Sequence, residues 1–283
     1  MIDWSIPSGD GTGRILGTSH LPSGEPTGRV LLGHGFKGYK DYGFLPWLSR
    51  RLCEAGHVVH RFNFGGSGMD HGHGPFDPAA FQADTWNRQV EDAVELLRAV
   101  GADELPGGPG PVLLVGHSRG GVTSLLAAGR HAGTDALASL RGVATLASPS
   151  GCLGLEASDR ARLLTEGSLE SPSSRTGQML RIGRAFLQEQ LDDPEGHDPL
   201  RQAGRVRVPV LVVHGMADDA VPVESAHQLV GALGDLATLR IIEGGNHVFN
   251  VPNPFPMEHG EPSPQLDEVA RSLVQFAQSV FNR

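Results

Sequence analysis

Apolar residues in this chain fall into two alternating patterns, short continuous runs and longer stretches with helical spacing. The runs are Val30-Leu31-Leu32, Val58-Val59-His60-Arg61-Phe62, Val112 to Val115, Gly142-Val143-Ala144-Thr145-Leu146, Val208 to Val213 and Leu239-Arg240-Ile241-Ile242. Strands covered on both faces have this near-continuous apolar character. Between the runs, Leu45, Leu48, Leu52 and Ala55 keep a helical stripe, with Gly56 at the position of a C-terminal cap. Val90, Ala93, Val94 and Leu97 form the next stripe, and Val122, Leu125 and Leu126 another. A last one joins Leu266, Val269, Ala270, Leu273, Val274, Ala277 and Val280, with Ser263 as N-cap and Pro264 at the first helical position. Strands alternating with helices predict an α/β fold, a mostly parallel central sheet flanked by helices.

One stretch breaks the alternation. About fifty residues separate the strand ending near Leu146 from the one starting near Val208, more than a crossover helix requires. Ser158 to Leu164 reads as a short helix, Ser171-Pro172-Ser173-Ser174 as a loop, and Gln178 to Leu191 as a helix with Met179, Ile182 and Phe186 on one side. The expectation is a single domain over residues 1–283 with a small helical cap inserted at about 152–205. The competing reading is a surface excursion without a role.

Length and charge narrow the classes. A chain of 283 residues suits one large α/β domain, and a formal net charge of −9 without a Lys/Arg block argues against nucleic-acid binding. Cys53 and Cys152 lack C-x-x-C spacing, as expected of free thiols in a reducing compartment. The first residues lack a basic segment followed by an apolar one, and no stretch approaches the roughly 20 apolar residues of a membrane span. A cytoplasmic protein without membrane association is expected. Asp70-His71-Gly72-His73-Gly74 with Asp77 has H-x-H spacing that could face zinc, but the ligand set is incomplete, and a polar loop at a pocket rim is preferred. Neither a metal nor a cofactor is called for.

The chemistry lies in Gly116-His117-Ser118-Arg119-Gly120, set between the run Val112 to Val115 and the stripe beginning at Val122. Strand, G-x-S-x-G and helix together make a nucleophile elbow, whose tight turn needs glycine two residues before and after the serine. A serine hydroxyl is a weak nucleophile and needs a base, and the base needs an orienting acid. His214-Gly215-Met216-Ala217-Asp218-Asp219 follows a strand, so its carboxylates emerge at the carboxyl edge of the sheet. Asp218 is taken as the acid and Asp219 as a turn or cap residue. Gly244-Gly245-Asn246-His247 follows the last strand, which singles out His247 among thirteen histidines as the base. The oxyanion of a tetrahedral intermediate would meet the backbone N–H of Arg119 and, from Gly33-His34-Gly35-Phe36, that of Phe36.

These motifs, with Phe62-Asn63-Phe64-Gly65-Gly66-Ser67-Gly68, His214-Gly215-x-x-Asp218-x-x-Val221-Pro222 and Gly245-Asn246-His247, resemble those of the α/β-hydrolase superfamily and run in its order. Within it the chain looks like serine esterases of the dienelactone-hydrolase-like and feruloyl-esterase-like groups, and it is also similar to serine-aminopeptidase-like proteins. Dienelactone hydrolases proper use cysteine where this chain has Ser118, so lactone specificity is not carried over. Ser173 to Gln178 and Phe255-Pro256 add to the likeness.

The first expectation is a carboxylic-ester hydrolase acting on a small-molecule ester through an acyl-enzyme on Ser118, His247 and Asp218. An amide hydrolase with the same triad is the second, with Glu156, Glu166 or Glu170 as candidate holders of a substrate amine. A non-catalytic binding protein of the same fold is the third. His34, Met179, Phe186, Met216 and Phe249 are the candidate pocket residues, although the cap's Met179, Leu180, Phe186 and Leu187 also fit a packed helix face. A monomer and a homodimer are both compatible with the sequence.

Overall fold

A computed structural model describes residues 1–69, 77–173, 177–252 and 261–282. Its first two strands, β1 (Ile2–Pro7) and β2 (Arg14–His20), form an antiparallel pair at one edge of the main sheet. Then follow β3 (Arg29–Gly33), α1 (Leu45–Glu54), β4 (Val58–Asn63), α2 (Pro78–Gln82), α3 (Trp86–Gly101), β5 (Val112–His117), α4 (Arg119–Arg130) and β6 (Leu140–Leu146). The inserted segment holds α5 (Ala157–Glu166), β7 (Ser168–Pro172), β8 (Met179–Gly183), α6 (Arg184–Asp192) and α7 (Pro199–Ala203). β9 (Val210–Gly215), α8 (Glu224–Leu233), β10 (Ala237–Ile242) and α9 (Pro264–Phe281) complete the order.

The main sheet has eight strands in the order β1-β2-β4-β3-β5-β6-β9-β10. β2 pairs antiparallel with β4, and every pair from β4 to β10 is parallel. Successive side chains of a strand point to opposite faces, so each central strand divides its apolar residues between two cores. Leu31, Val112, Leu114, Val210 and Val212 belong to one, with α3, α4 and α8. Val30, Leu32, Leu113, Val115, Leu211 and Val213 belong to the other, with α1 and α9. Full burial of each such side chain is worth roughly 2 kcal/mol. Ser263 caps α9 by accepting from the Leu266 N–H at 3.0 Å, with Pro264 at the first position.

The inserted segment departs from an all-helical cap. Residues 179–183, expected within a helix, form β8, which pairs antiparallel with β7 over Ser168–Pro172, part of it expected as a loop. Met179, Ile182 and Phe186 suit a helix face, but Leu180 is buried while Met179 and Arg181 are exposed, the alternation of a strand. Gly183 is extended (φ −83°, ψ 156°), and α6 begins after it. Leu163, Leu169 and Leu187 give the segment a small core of its own. Leu180 joins Met69 and Phe81, and Lys37 donates to the Pro172 carbonyl at 2.8 Å. Cys53 and Cys152 are free thiols. Asp70, His71 and His73 lie outside the described residues, as do 174–176 and Phe255-Pro256; Asp77 accepts from the N–H groups of Ala79 and Ala80 as N-cap of α2. Among the described residues no helix is long and apolar enough to cross a membrane.

β4 carries a polar residue into the core with a consequence for acid stability. The Trp4 indole donates to Ser19 Oγ at 2.8 Å, and Ser19 Oγ and His60 Nδ1 share a hydrogen bond at 2.7 Å. His60 Nε2 is buried with no hydrogen-bond partner among the described residues. Burial, then the nearby Arg29 charge, push His60 down to about 3. The unfolded chain takes up this proton near pH 6.5 and the folded chain does not, so stability is lost as pH falls below 6.5. His60 alone should remove about 2 kcal/mol of unfolding free energy between pH 7 and pH 5. Urea unfolding at the two pH values should show a shallower loss in His60→Gln. An unchanged slope would put the acid sensitivity elsewhere.

Candidate active site

β5 lies between β3 and β6 near the middle of the sheet, and Ser118 occupies the turn that joins it to α4. Its backbone has φ 53° and ψ −119°, a region that non-glycine residues rarely adopt and that stores about 1–3 kcal/mol of strain. Close packing holds the turn. A Cβ on Gly116 would come within 2.1 Å of the Gly120 backbone, and one on Gly120 within 2.5 Å of the His34 carbonyl oxygen. The Ser118 N–H donates to the Leu146 carbonyl at 2.7 Å, tying the turn to the end of β6. Ser118 is the N-cap residue of α4, so the positive end of the helix dipole faces the site.

The loop after β3 runs against this turn. A Cβ on Gly35 would stand 3.1 Å from the Ser118 Cβ. The Gly35 carbonyl accepts from His34 Nδ1 at 2.9 Å and from the Gly38 N–H at 2.9 Å. His34 Nε2 in turn accepts from the Phe64 N–H at 3.3 Å. A trans peptide points its N–H opposite to its carbonyl, so these two bonds aim the Phe36 N–H away from His34. His34 thus orients the loop. It lines a small cavity of about 50 Å³ with Gly35, Phe44, His117 and Val248, separate from the cleft over Ser118.

The loops that carry Asp218 and His247 leave adjacent strands. β10 pairs with β9, the Met216 N–H donates to the Ile242 carbonyl at 2.9 Å, and the Ala217 N–H to the Gly245 carbonyl at 2.8 Å. These contacts bring His247 Nδ1 to 2.9 Å from Asp218 Oδ2. The carboxylate accepts, so Nδ1 carries the proton and Nε2 keeps its lone pair. Asp218 Oδ1 accepts from the N–H groups of Ala220 at 2.9 Å and Val221 at 2.8 Å. Asp218 therefore forms the turn as well as holding His247; Asp219 is exposed, and α8 begins after Val223, which supplies no side-chain cap. His214 packs behind Asp218 at 3.4 Å, fully buried, and donates to the Val221 carbonyl at 2.8 Å. Burial pushes the Asp218 carboxyl up, but hydrogen bonds from His214, His247 and the Val221 N–H outweigh it and hold Asp218 well below the usual carboxylate range.

His117 links these loops to the elbow. Its Nε2 donates to the His247 carbonyl at 2.9 Å, and the two rings lie 5.0 Å apart. The backbone of His247 is thereby fastened to the residue preceding Ser118. The spacing of His117 and His214 beside glycine carries no mark of these contacts, which join residues 130 and 7 positions apart.

A cleft of about 310 Å³ opens over Ser118. Phe36, Trp86, Arg119, Ile182 and Phe186 line it together with residues 149–155. Of the five expected pocket residues only Phe186 is there. Met179 is 53% exposed because β8 turns it outward, and Met216 is 53% exposed on the loop that carries Asp218. Phe249 is fully buried in the core beside Phe44, where its φ of 55° turns it inward. Trp86 and residues 149–155 escaped sequence reasoning because they come from the start of α3 and the loop after β6, far from any motif. Among the described residues no cluster of His, Cys, Asp and Glu could hold a metal.

A doubly covered, mostly parallel sheet with a strained serine between its central strand and the next helix defines an α/β hydrolase. The chain belongs to the alpha/beta hydrolase family, whose model matches residues 30–259. Its fold is similar to that of a putative hydrolase from Agrobacterium vitis S4 (22% identity, 98% of each chain, TM-score 0.73). It is also similar to Est1E from Butyrivibrio proteoclasticus, solved with ferulic acid bound (18% identity, 99% of this chain and 100% of that one, TM-score 0.70). The esterase domain of a Rhodothermus marinus protein is a further likeness (22% identity, 99% and 98%, TM-score 0.65). A stretch of 66 residues is 38% identical to the non-reducing polyketide synthase ausA of Aspergillus calidoustus, covering 22% of this chain and 3% of that protein.

Proposed function

We propose that the protein hydrolyses carboxylic esters through an acyl-enzyme on Ser118. The observation that carries this reading is the 2.9 Å contact between His247 and the buried Asp218, on loops fastened by His117 to the nucleophile turn. His247 Nε2 takes the Ser118 proton as Oγ attacks the acyl carbonyl; Asp218 holds the tautomer and stabilises the imidazolium. The N–H groups of Phe36 and Arg119 receive the oxyanion. The alcohol leaves with the proton from His247, and water then repeats the sequence on the acyl-enzyme. The esterases among the similar structures lend support at the level of fold.

Ester is favoured over peptide by what surrounds the cleft. Glu156, Glu166 and Glu170 are exposed, and Glu166 and Glu170 pair with Arg162 and Arg181. None of the three lines the cleft, whereas the cationic Arg119 does, and it would repel a substrate amine. A fluorophosphonate should label the protein stoichiometrically, with the adduct on Ser118 by peptide mass mapping. Absence of an adduct on folded protein would leave the non-catalytic binding reading in its place.

A further inference from the structure

The proposed chemistry uses the main-chain N–H of Arg119 and leaves its side chain without a task. That side chain is 8% exposed, yet it lines the cleft that holds Ser118. Three aromatic rings surround the guanidinium carbon, Trp86 at 4.7 Å, Phe186 at 5.2 Å and Phe36 at 5.6 Å. Its counter-ion is Asp84, with Nη2 3.0 Å from Oδ2 and the carboxylate 3% exposed. Asp84 also accepts from Gln89 Nε2 at 2.7 Å.

The pairing is incomplete. Arg119 Nη2 meets Asp84 Oδ2 as an ion pair without hydrogen-bond geometry, and among the described residues Arg119 Nε, Asp84 Oδ1 and the Trp86 indole nitrogen are buried without a hydrogen-bond partner. A guanidinium has five donors and cannot shed its charge. Taking it out of water with those donors unfilled is costly, and an apolar side chain of similar volume would fill the aromatic cage without that cost. Nη1 is not among these buried nitrogens, and a cation that keeps it at the wall of a substrate cleft is suited to an acceptor that the substrate brings.

We propose that the Arg119 guanidinium recognises an oxygen acceptor on the acyl chain a few carbons beyond the scissile carbonyl, so that the preferred substrates are esters of oxo or dicarboxylic acids rather than of plain fatty acids. Leu153, Leu155 and Ile182 supply apolar wall for the intervening methylenes. Trp86, Phe186 and Phe36 keep water from the cation, which strengthens a hydrogen bond made there. The proposal rests on the ester-hydrolase reading and specifies its acyl side.

Three ethyl esters of matched length test it by proton release: pentanoate, 4-oxopentanoate and the monoester of succinic acid. The last two should exceed pentanoate in kcat/KM by about ten- to a hundredfold, as expected for a hydrogen bond to a charged group. In Arg119→Met both ratios should fall to near one, whatever the absolute loss from disturbing the turn. Asp84→Asn keeps the side chain's shape and removes the counter-charge. There the succinate-to-4-oxopentanoate ratio should rise about threefold or more, by unscreened attraction for the carboxylate. Parallel changes on all three esters in both variants would make Arg119 a merely structural group and overturn the proposal. So would a wild-type preference for pentanoate. If the wild type turns over no ester, the proposal falls together with the ester-hydrolase reading; if it turns over all three with ratios near one, the proposal falls alone.

Discussion

Ser118→Ala is expected to lower kcat/KM for a p-nitrophenyl ester by about 10⁴- to 10⁶-fold, the range for removing the nucleophile of a serine triad. Alanine retains the Cβ that packs 3.1 Å from the position a Gly35 Cβ would occupy, and it bears the same left-handed strain at φ 53°. The substitution therefore isolates the hydroxyl from the turn that presents it. Thermal unfolding should be little changed, because Ser118 is half-buried at the cleft rather than set in the core. Turnover within tenfold of wild type, on protein freed of contaminating esterase, would remove Ser118 from the chemistry.

Asp218→Asn should cost about 10³- to 10⁴-fold in kcat/KM with the fold retained, comparable to the same change in other serine triads. The amide has one acceptor where the carboxylate has two. If its oxygen keeps the Ala220 and Val221 N–H groups, its NH₂ faces His247 Nδ1, and the imidazole must move its proton to Nε2, the nitrogen needed as base. If it turns over, the NH₂ meets two backbone donors in a fully buried place. His214 at 3.4 Å is a further donor and offers no relief. The ionised form of Asp218 persists well below the usual carboxylate range, so its own titration should not limit activity anywhere near neutral pH. The rate of fluorophosphonate labelling checks the same step without turnover and should fall in parallel; a loss under tenfold in both would separate Asp218 from the base.

What was legible in the sequence is local. The elbow was, because Gly116 and Gly120 crowd one another on either side of Ser118 within a single turn. The central strands were, because burial on both faces leaves continuous apolar runs. β1 and β2 escape a reading of the sequence because neither holds a continuous apolar run; the buried end of β2 is Thr18-Ser19-His20. The sequence over β8 suits a helix because Met179, Ile182 and Phe186 fit a helical face, and the pairing with β7 that overrides this lies outside any local window.

The same division holds at the site. Residue types and their order along the chain determined the turn at Ser118 and the strand ends from which Asp218 and His247 emerge, because backbone geometry over a few residues dictates both. Which side chains wall the cleft was decided only by the packing of distant elements. Phe249 went to the core, Met179 and Met216 to solvent, and Trp86 and Arg119 to the wall of the cleft over Ser118. A side chain's surroundings depend on contacts between parts of the chain that share no local pattern, and those contacts exist only once the sheet has closed around them.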